Sequence, residues 1–311
     1  MRKFNYPRYG FTLIELSIVL VIIGLIVGGI LTGRDLIKSA AVRAQVSQIE
    51  KYQTAVNTFK GKYGQLPGDL SQSVATQFGF ASRNLMPTPN GNLNGILEGN
   101  YTVNGPSLAC GETGLFWMDL SQAKLVDGLF SALSNGACPG SIAATAISKY
   151  MPEAKIGSGS FVYVWSGGWA AAGGGGSDSR NYFGLSGVAE PIAPMMATTL
   201  TVSQAAAIDK KMDDGLPQSG DVLAIYPNYQ ARDPADNYYS VWAYSFPLSG
   251  IGGGACGSTN TCGPVTPADS VATSPDSMSC YDNNGVSGAT EKYSLSSNAE
   301  IANCALSFRF Q

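Results

Sequence analysis

From Leu16 to Gly33 the chain runs eighteen residues without a charge, nearly all of them apolar. With Phe11–Glu15 added, the stretch FTLIELSIVLVIIGLIVGGILTG (residues 11–33) is long enough to cross a bilayer as a helix, and Glu15 is its sole charge. The charged residues of the first ten positions are Arg2, Lys3 and Arg8, all basic. After the span, Asp35 partly offsets Arg34 and Lys38, so the charge bias predicts a cytoplasmic N-terminus with the remaining chain across the inner membrane. A secretory signal peptide shares the basic start and the apolar run, but it ends in an Ala-x-Ala-like site after the run, which is missing here. The small residue suited to processing is Gly10, ahead of the run. A cut there removes the charged leader and keeps the helix.

Composition narrows the chemistry. The chain has no histidine, which removes histidine general bases, Ser-His-Asp triads, HExxH metalloproteases and ordinary His-ligated zinc. A net charge of −3, with three of the 19 basic residues in the first ten positions, argues against nucleic-acid binding by bulk charge. Ten per cent aromatic residues supply apolar surface for a folded core, whereas 38 glycines point to a loop-rich body.

The stretch Gly10-Phe11-Thr12-Leu13-Ile14-Glu15, after a basic leader and before an unbroken apolar run, resembles the cleavage and methylation signal of type IV prepilins and type II secretion pseudopilins. The resemblance covers about the first thirty residues. It implies a prepilin peptidase that cuts after Gly10 and N-methylates Phe11, and it makes Glu15 the carboxylate that guides assembly into a helical filament. It also implies other pilin subunits and an inner-membrane assembly platform as partners.

Glu15 has an independent physical case. A carboxylate inside a bilayer costs about 2.5–3.5 kcal/mol on insertion scales and needs a partner. The amine of Phe11, freed by cleavage, would lie roughly 6 Å away along a helix and could neutralise it within one chain or from a neighbour. Gly24 with Gly28 and Gly29 with Gly33 form two Gly-x-x-x-Gly pairs, a spacing that lets apolar helices approach closely. Plain tolerance of glycine in a membrane helix is the competing reading of these pairs.

Beyond the span, Val42, Val46, Ile49, Tyr52, Val56, Phe59 and Tyr63 recur at steps of four and three, with Arg43, Gln48, Glu50, Lys51 and Lys60 largely off the stripe. This predicts one helix from near Phe11 to about Lys62, roughly 75 Å long, ended by Gly61, Gly64 and Pro67. The segments are then a leader at 1–10, an assembly helix at 11–33, an amphipathic helix at 34–63 and a globular body at 64–311. In KYGQLPGDL (62–70), Pro67-Gly68 marks a turn whose Asp69 can accept local backbone N–H groups. Residues 112–128 read as helical, and 207–224 as a short helix closing into a turn and strand. Strand-like runs lie at Phe161–Ser166, Asn181–Ser186, Asp221–Tyr226, Ser240–Phe246 and Ala305–Phe310. The fold class is α+β: a long N-terminal helix packed on an antiparallel sheet, with a loop-rich, disulfide-containing body of the pilin kind.

Cys110, Cys138, Cys256, Cys262, Cys280 and Cys304 all lie beyond the span, and an even count in an oxidising compartment implies three disulfides. Six cysteines allow fifteen connectivities, and the sequence selects none. Pairing in chain order gives 110–138, 256–262 and 280–304, the last resembling the C-terminal disulfide loop of type IV pilins. No cofactor is implied. A weak calcium candidate is Asp282, Asn284 and Glu291 in YDNNGVSGATE, which lacks the full EF-hand spacing and competes with a solvated Asn/Gly turn. Asp213-Asp214 reads as a helix-end surface pair, since adjacent helical residues do not face each other. Gly252, Gly254 and Gly257 match a phosphate-loop spacing without the flanking strand and helix. Trp117, Trp165, Trp169 and Trp242 read as core residues.

No nucleophile motif is present, so the expectation is a structural protein without enzymatic activity. The resemblance implies a type IV pilus-like subunit, and a body this large points to a minor or specialised pilin in adhesion, motility or DNA uptake. The alternatives are a type II secretion pseudopilin and a membrane-tethered binding or catalytic domain that never polymerises. Nucleic acid is not a default partner; DNA enters as a ligand only for a minor pilin.

Overall fold

The computed structural model describes residues 10, 12–85, 91–102, 105–131, 138, 141–166, 180–191, 195–232, 238–242, 280–282 and 290–311. The chain divides into two compact units, Met1–Ala41 and Val42–Gln311. The first helix, α1 (Leu13–Tyr63), is continuous. It starts two residues later than the apolar run suggests, because Thr12 caps it, and it stops where Gly64 turns left-handed at φ 74°.

In the second unit, α1 buries Val42, Ile49, Tyr52, Ala55, Val56 and Phe59. The apolar stripe is therefore the packed face, with one correction. Gln45 and Gln48 are buried on it as well, although Gln48 reads from sequence as an off-stripe residue. The cause is the chain at 152–156, which runs beside the strand Ser160–Ser166 through a bridge between Glu153 and Phe161. Its other side would leave backbone groups unmet in the interior. Gln48 donates to the Glu153 carbonyl at 2.9 Å and accepts from the Lys155 N–H at 2.9 Å, while Gln45 accepts from the Ile156 N–H at 3.0 Å. Two glutamines on the helix thus complete a sheet margin.

The central sheet is antiparallel, ordered Ser160–Ser166, Asn181–Glu190, Leu306–Arg309, Val222–Leu223, with Met195–Ala197 also on Asn181–Glu190. Register places Phe183 between Val164 and Phe308, and Leu185 between Val162 and Leu306. This row meets α1 and, past the short helix α2 (Gln72–Phe78) in the chain, the helix α3 (Glu112–Gln122): Phe183 lies 6.1 Å from Tyr52, 6.0 Å from Phe116 and 6.1 Å from Trp117, centre to centre. On the opposite face Trp165 stacks on Tyr182 at 4.9 Å and donates to the Ser307 hydroxyl, which donates to the Ile225 carbonyl. Gly184 is glycine because the Tyr163 ring lies where its Cβ would be. Both faces being covered, the strands read as near-continuous apolar runs.

The expected strands differ from the observed ones at their ends, and the hairpin Gly99–Thr102 with Gly105–Gly111 and the short strands Met195–Ala197, Tyr281–Asp282 and Lys292–Tyr293 fall outside the expected runs. Asn181–Glu190 outlasts the run to Ser186, while the run at 221–226 splits into Val222–Leu223 and Ile225–Arg232. Ile225–Arg232 pairs with Tyr238–Trp242 instead of joining the central sheet, and residues 243–246 lie outside the described residues. Helix α3 ends at Gln122, so 123–128 is turn; its residues from Glu112 to Ser121 are all buried. Helix α4 (Val202–Met212) begins earlier than expected, under a capping box between Thr201 and Gln204. Trp117 and Trp165 are fully buried, and Trp169 lies outside the described residues.

Candidate assembly segment

Among the described residues of the first unit, Gly10 is exposed, and Phe11 lies outside them. Thr12 and Glu15 then form a reciprocal cap. The Thr12 N–H and hydroxyl both donate to Oε2 of Glu15, at 2.8 and 2.7 Å, and the Glu15 N–H donates back to the Thr12 hydroxyl at 3.3 Å. Thr-x-x-Glu at a helix start is legible in sequence as a capping box, a signal that the apolar pattern alone does not carry, and it identifies Thr12 as the first partner of Glu15. The expected partner, the Phe11 amine, falls outside the described residues. Among the described residues Oε1 accepts no hydrogen bond and so keeps room for a further donor.

From Leu13 onward, α1 is long and apolar enough to cross a membrane. Its large apolar side chains are exposed, from Val19 at 48% to Leu13 at 87%. Hydroxyls within the span fold back on the helix: Ser17 onto the Ile14 carbonyl at 2.9 Å and Thr32 onto the Gly28 carbonyl at 3.1 Å. Gly24, Gly28, Gly29 and Gly33 have open space where a Cβ would stand. Their surface is bare helix backbone.

In the second unit, Cys110 is bonded to Cys138 and Cys280 to Cys304, with Cα separations of 6.1 and 5.0 Å. Cys256 and Cys262 lie outside the described residues, as do Asn284 and Gly252, Gly254 and Gly257. Glu291 is buried at 8% exposure, near the short pairing of Tyr281–Asp282 with Lys292–Tyr293.

Asp209, Asp213 and Asp214 cluster at the end of α4, and each holds local structure. Asp209 accepts from the Gly215 N–H at 3.0 Å and the Tyr293 hydroxyl at 2.7 Å. Asp213 accepts the Asp221 and Val222 N–H groups, and Asp214 the Leu216 N–H and Ser219 hydroxyl. A groove of about 600 Å³ lies between α1 and the loop at 127–130, lined by Gln48, Lys51, Tyr52, Asp127 and Phe130. Lys51 there pairs with Asp127 at 2.5 Å.

Residues 7–31 match the prokaryotic N-terminal methylation motif. No curated protein and no solved structure matches the chain. The motif, followed by the long apolar helix, fits a prepilin of the type IV pilin or pseudopilin kind, a structural rather than a catalytic class of protein. The long helix, antiparallel sheet and two disulfides of the body are consistent with the pilin fold. The motif implies processing by a prepilin peptidase and assembly with other pilin subunits, and with the apolar helix it supports membrane anchoring.

Proposed function

We propose that this chain is a minor or specialised subunit of a type IV pilus-like filament. Cleavage after Gly10 frees Phe11 for N-methylation, and the retained helix holds the subunit in the inner membrane with its body on the outer side. Assembly moves the apolar helix from lipid into a bundle of like helices, where Gly24, Gly28, Gly29 and Gly33 permit close approach. Glu15 meets an amine there through the oxygen that Thr12 leaves open. The observation carrying this reading is the lone carboxylate at the head of an exposed apolar helix, directly within the methylation motif.

The test is mass spectrometry of the mature chain together with a sheared-filament fraction. A methylated Phe11 as the first residue, found in that fraction, is the expected result. A first residue downstream of Gly33, an uncut leader, or protein confined to the membrane as monomer overturns it. Neighbouring genes for secretion components in place of a retraction motor would assign the subunit to a secretion pseudopilus.

A further inference from the structure

Residues 91–98 cross the body as a strap fastened by its backbone. Five of its N–H groups end on two carboxylates carried by other elements. Gly91 and Asn92 donate to Oε1 of Glu112, at 2.9 and 3.2 Å, and Glu98 donates to Oε2 at 3.1 Å. Leu93 and Gly95 donate to the two oxygens of Asp69, at 2.5 and 2.9 Å. The turn at 66–70 and the first residue of α3 thus hold one segment between them, through side chains that are 3% and 0% exposed. Asp69 was expected to bond its own turn; its partners are instead 24 and 26 residues away.

The strap is not relaxed. Leu93 sits at φ 66°, a left-handed conformation that L side chains avoid, and its side chain is 53% exposed. Its conformation is imposed through its N–H. Gly91 packs so closely that an added Cβ would fall on the Leu70 carbonyl. The fastening holds Leu93 in a conformation its side chain disfavours.

The charges around the fastening are unbalanced. The charged group acting on Glu112 is Asp69, and Glu98 adds to the field on Asp69. A third acid beneath them, Asp119 of α3, is matched: Arg83 grips both of its oxygens at 2.8 and 2.7 Å, and the Gly68 N–H donates to it at 2.7 Å. Among the described residues no Lys or Arg pairs with Asp69 or Glu112. Two carboxyls buried against one strap without a cation are costly to ionise together, which favours a proton on one of them. Oε2 of Glu112, with one N–H donor, has room for it.

We propose that Asp69 and Glu112 form a proton-dependent latch: the strap 91–98 is closed while the pair holds one proton and loosens when both carboxyls ionise. Burial pushes Glu112 up to about 8, with the N–H groups of Glu98, Gly91 and Asn92 opposing and the Asp69 charge adding. A carboxyl raised in the folded state stabilises it fully below the ordinary carboxyl range and loses that contribution as pH rises through the raised value. The latch therefore opens on the alkaline side of neutrality.

Hydrogen exchange on the full chain in detergent micelles tests this at pH 6, 7.5 and 9, corrected for intrinsic exchange. Protection of 91–98 should fall about tenfold or more toward pH 9 while α3 stays protected, and Glu112→Gln should abolish the difference. Equal strap protection across the range, or an unchanged pH dependence in Glu112→Gln, overturns the latch. Should that variant fail to fold, carboxyl carbon NMR on the wild-type chain decides: titration of Glu112 near 8 supports the latch, and a midpoint below 6 refutes it.

Discussion

Thr12 and Glu15 hold each other across the first turn of α1, and one carboxylate oxygen takes both donors, at 2.8 and 2.7 Å. The partner of the membrane carboxylate in the described structure is thus its own chain, one turn back. Such a bond satisfies a polar group that lipid cannot solvate, and it leaves Oε1 for a donor from elsewhere. The start of the helix and the carboxylate proposed for assembly thus belong to one pair.

Replacing Glu15 with alanine is expected to leave cleavage after Gly10 intact and to deplete the protein from sheared filaments. Mass spectrometry of the N-terminus and immunoblotting of the sheared fraction read the two effects separately. Filament incorporation equal to wild type would remove the assembly role.

The Arg83–Asp119 pair is buried on both sides, at 2% and 0% side-chain exposure. Removing one partner strands the other charge, so Asp119→Ala should cost about 3–5 kcal/mol of stability. Chemical denaturation of the full chain in micelles measures it. A loss under about 1 kcal/mol would show that the pair is no anchor.

Asp209 gives a pH dependence with a defined sign. Burial pushes its carboxyl up to about 7, while the Tyr293 hydroxyl and the Gly215 N–H pull it down and Asp214 and Asp213 add to the rise. The neutral form is thus favoured in the fold. Its contribution is complete below about pH 4 and declines as pH rises through the raised value. Asp209→Asn should flatten this decline relative to wild type in melting curves across that range; parallel curves would contradict it.

The bond between Cys280 and Cys304 spans 24 residues and leads directly into the sheet strand Leu306–Arg309. Its loss in a Cys280→Ser/Cys304→Ser double variant should cost about 3 kcal/mol in the chain-entropy picture. The expected readout is a lower melting temperature than wild type under oxidising conditions, with the gap closing when both are fully reduced. A variant that melts with the oxidised wild type would refute it.

At Gly184, alanine would collide with the Tyr163 ring. Overpacking of this kind costs about 1–3 kcal/mol, so Gly184→Ala should melt earlier than wild type. The double variant with Tyr163→Leu, which vacates the ring's place, should lose less than the two single changes summed.

Periodicity made α1 legible: the stripe from Val42 to Phe59 names the packed face because helical geometry fixes which residues share a side. The methylation motif and the apolar run were readable for a related reason, since composition and order over a few turns settle them without reference to the rest of the chain. Strand positions at Val162–Trp165 and Leu306–Phe308 followed from runs of β-branched and aromatic residues.

The polar interior was decided elsewhere. Gln48 looks like a surface residue until the chain at 153–155, 105 and 107 positions on, presents backbone groups to it. Asp69 looks like a turn residue until the strap arrives. Local sequence determined the helix, its cap and its lipid-seeking face, which depend on neighbours three and four residues apart. Tertiary structure alone determined which carboxyls and amides are buried, because a buried polar group is tolerated only where distant backbone supplies its hydrogen bonds.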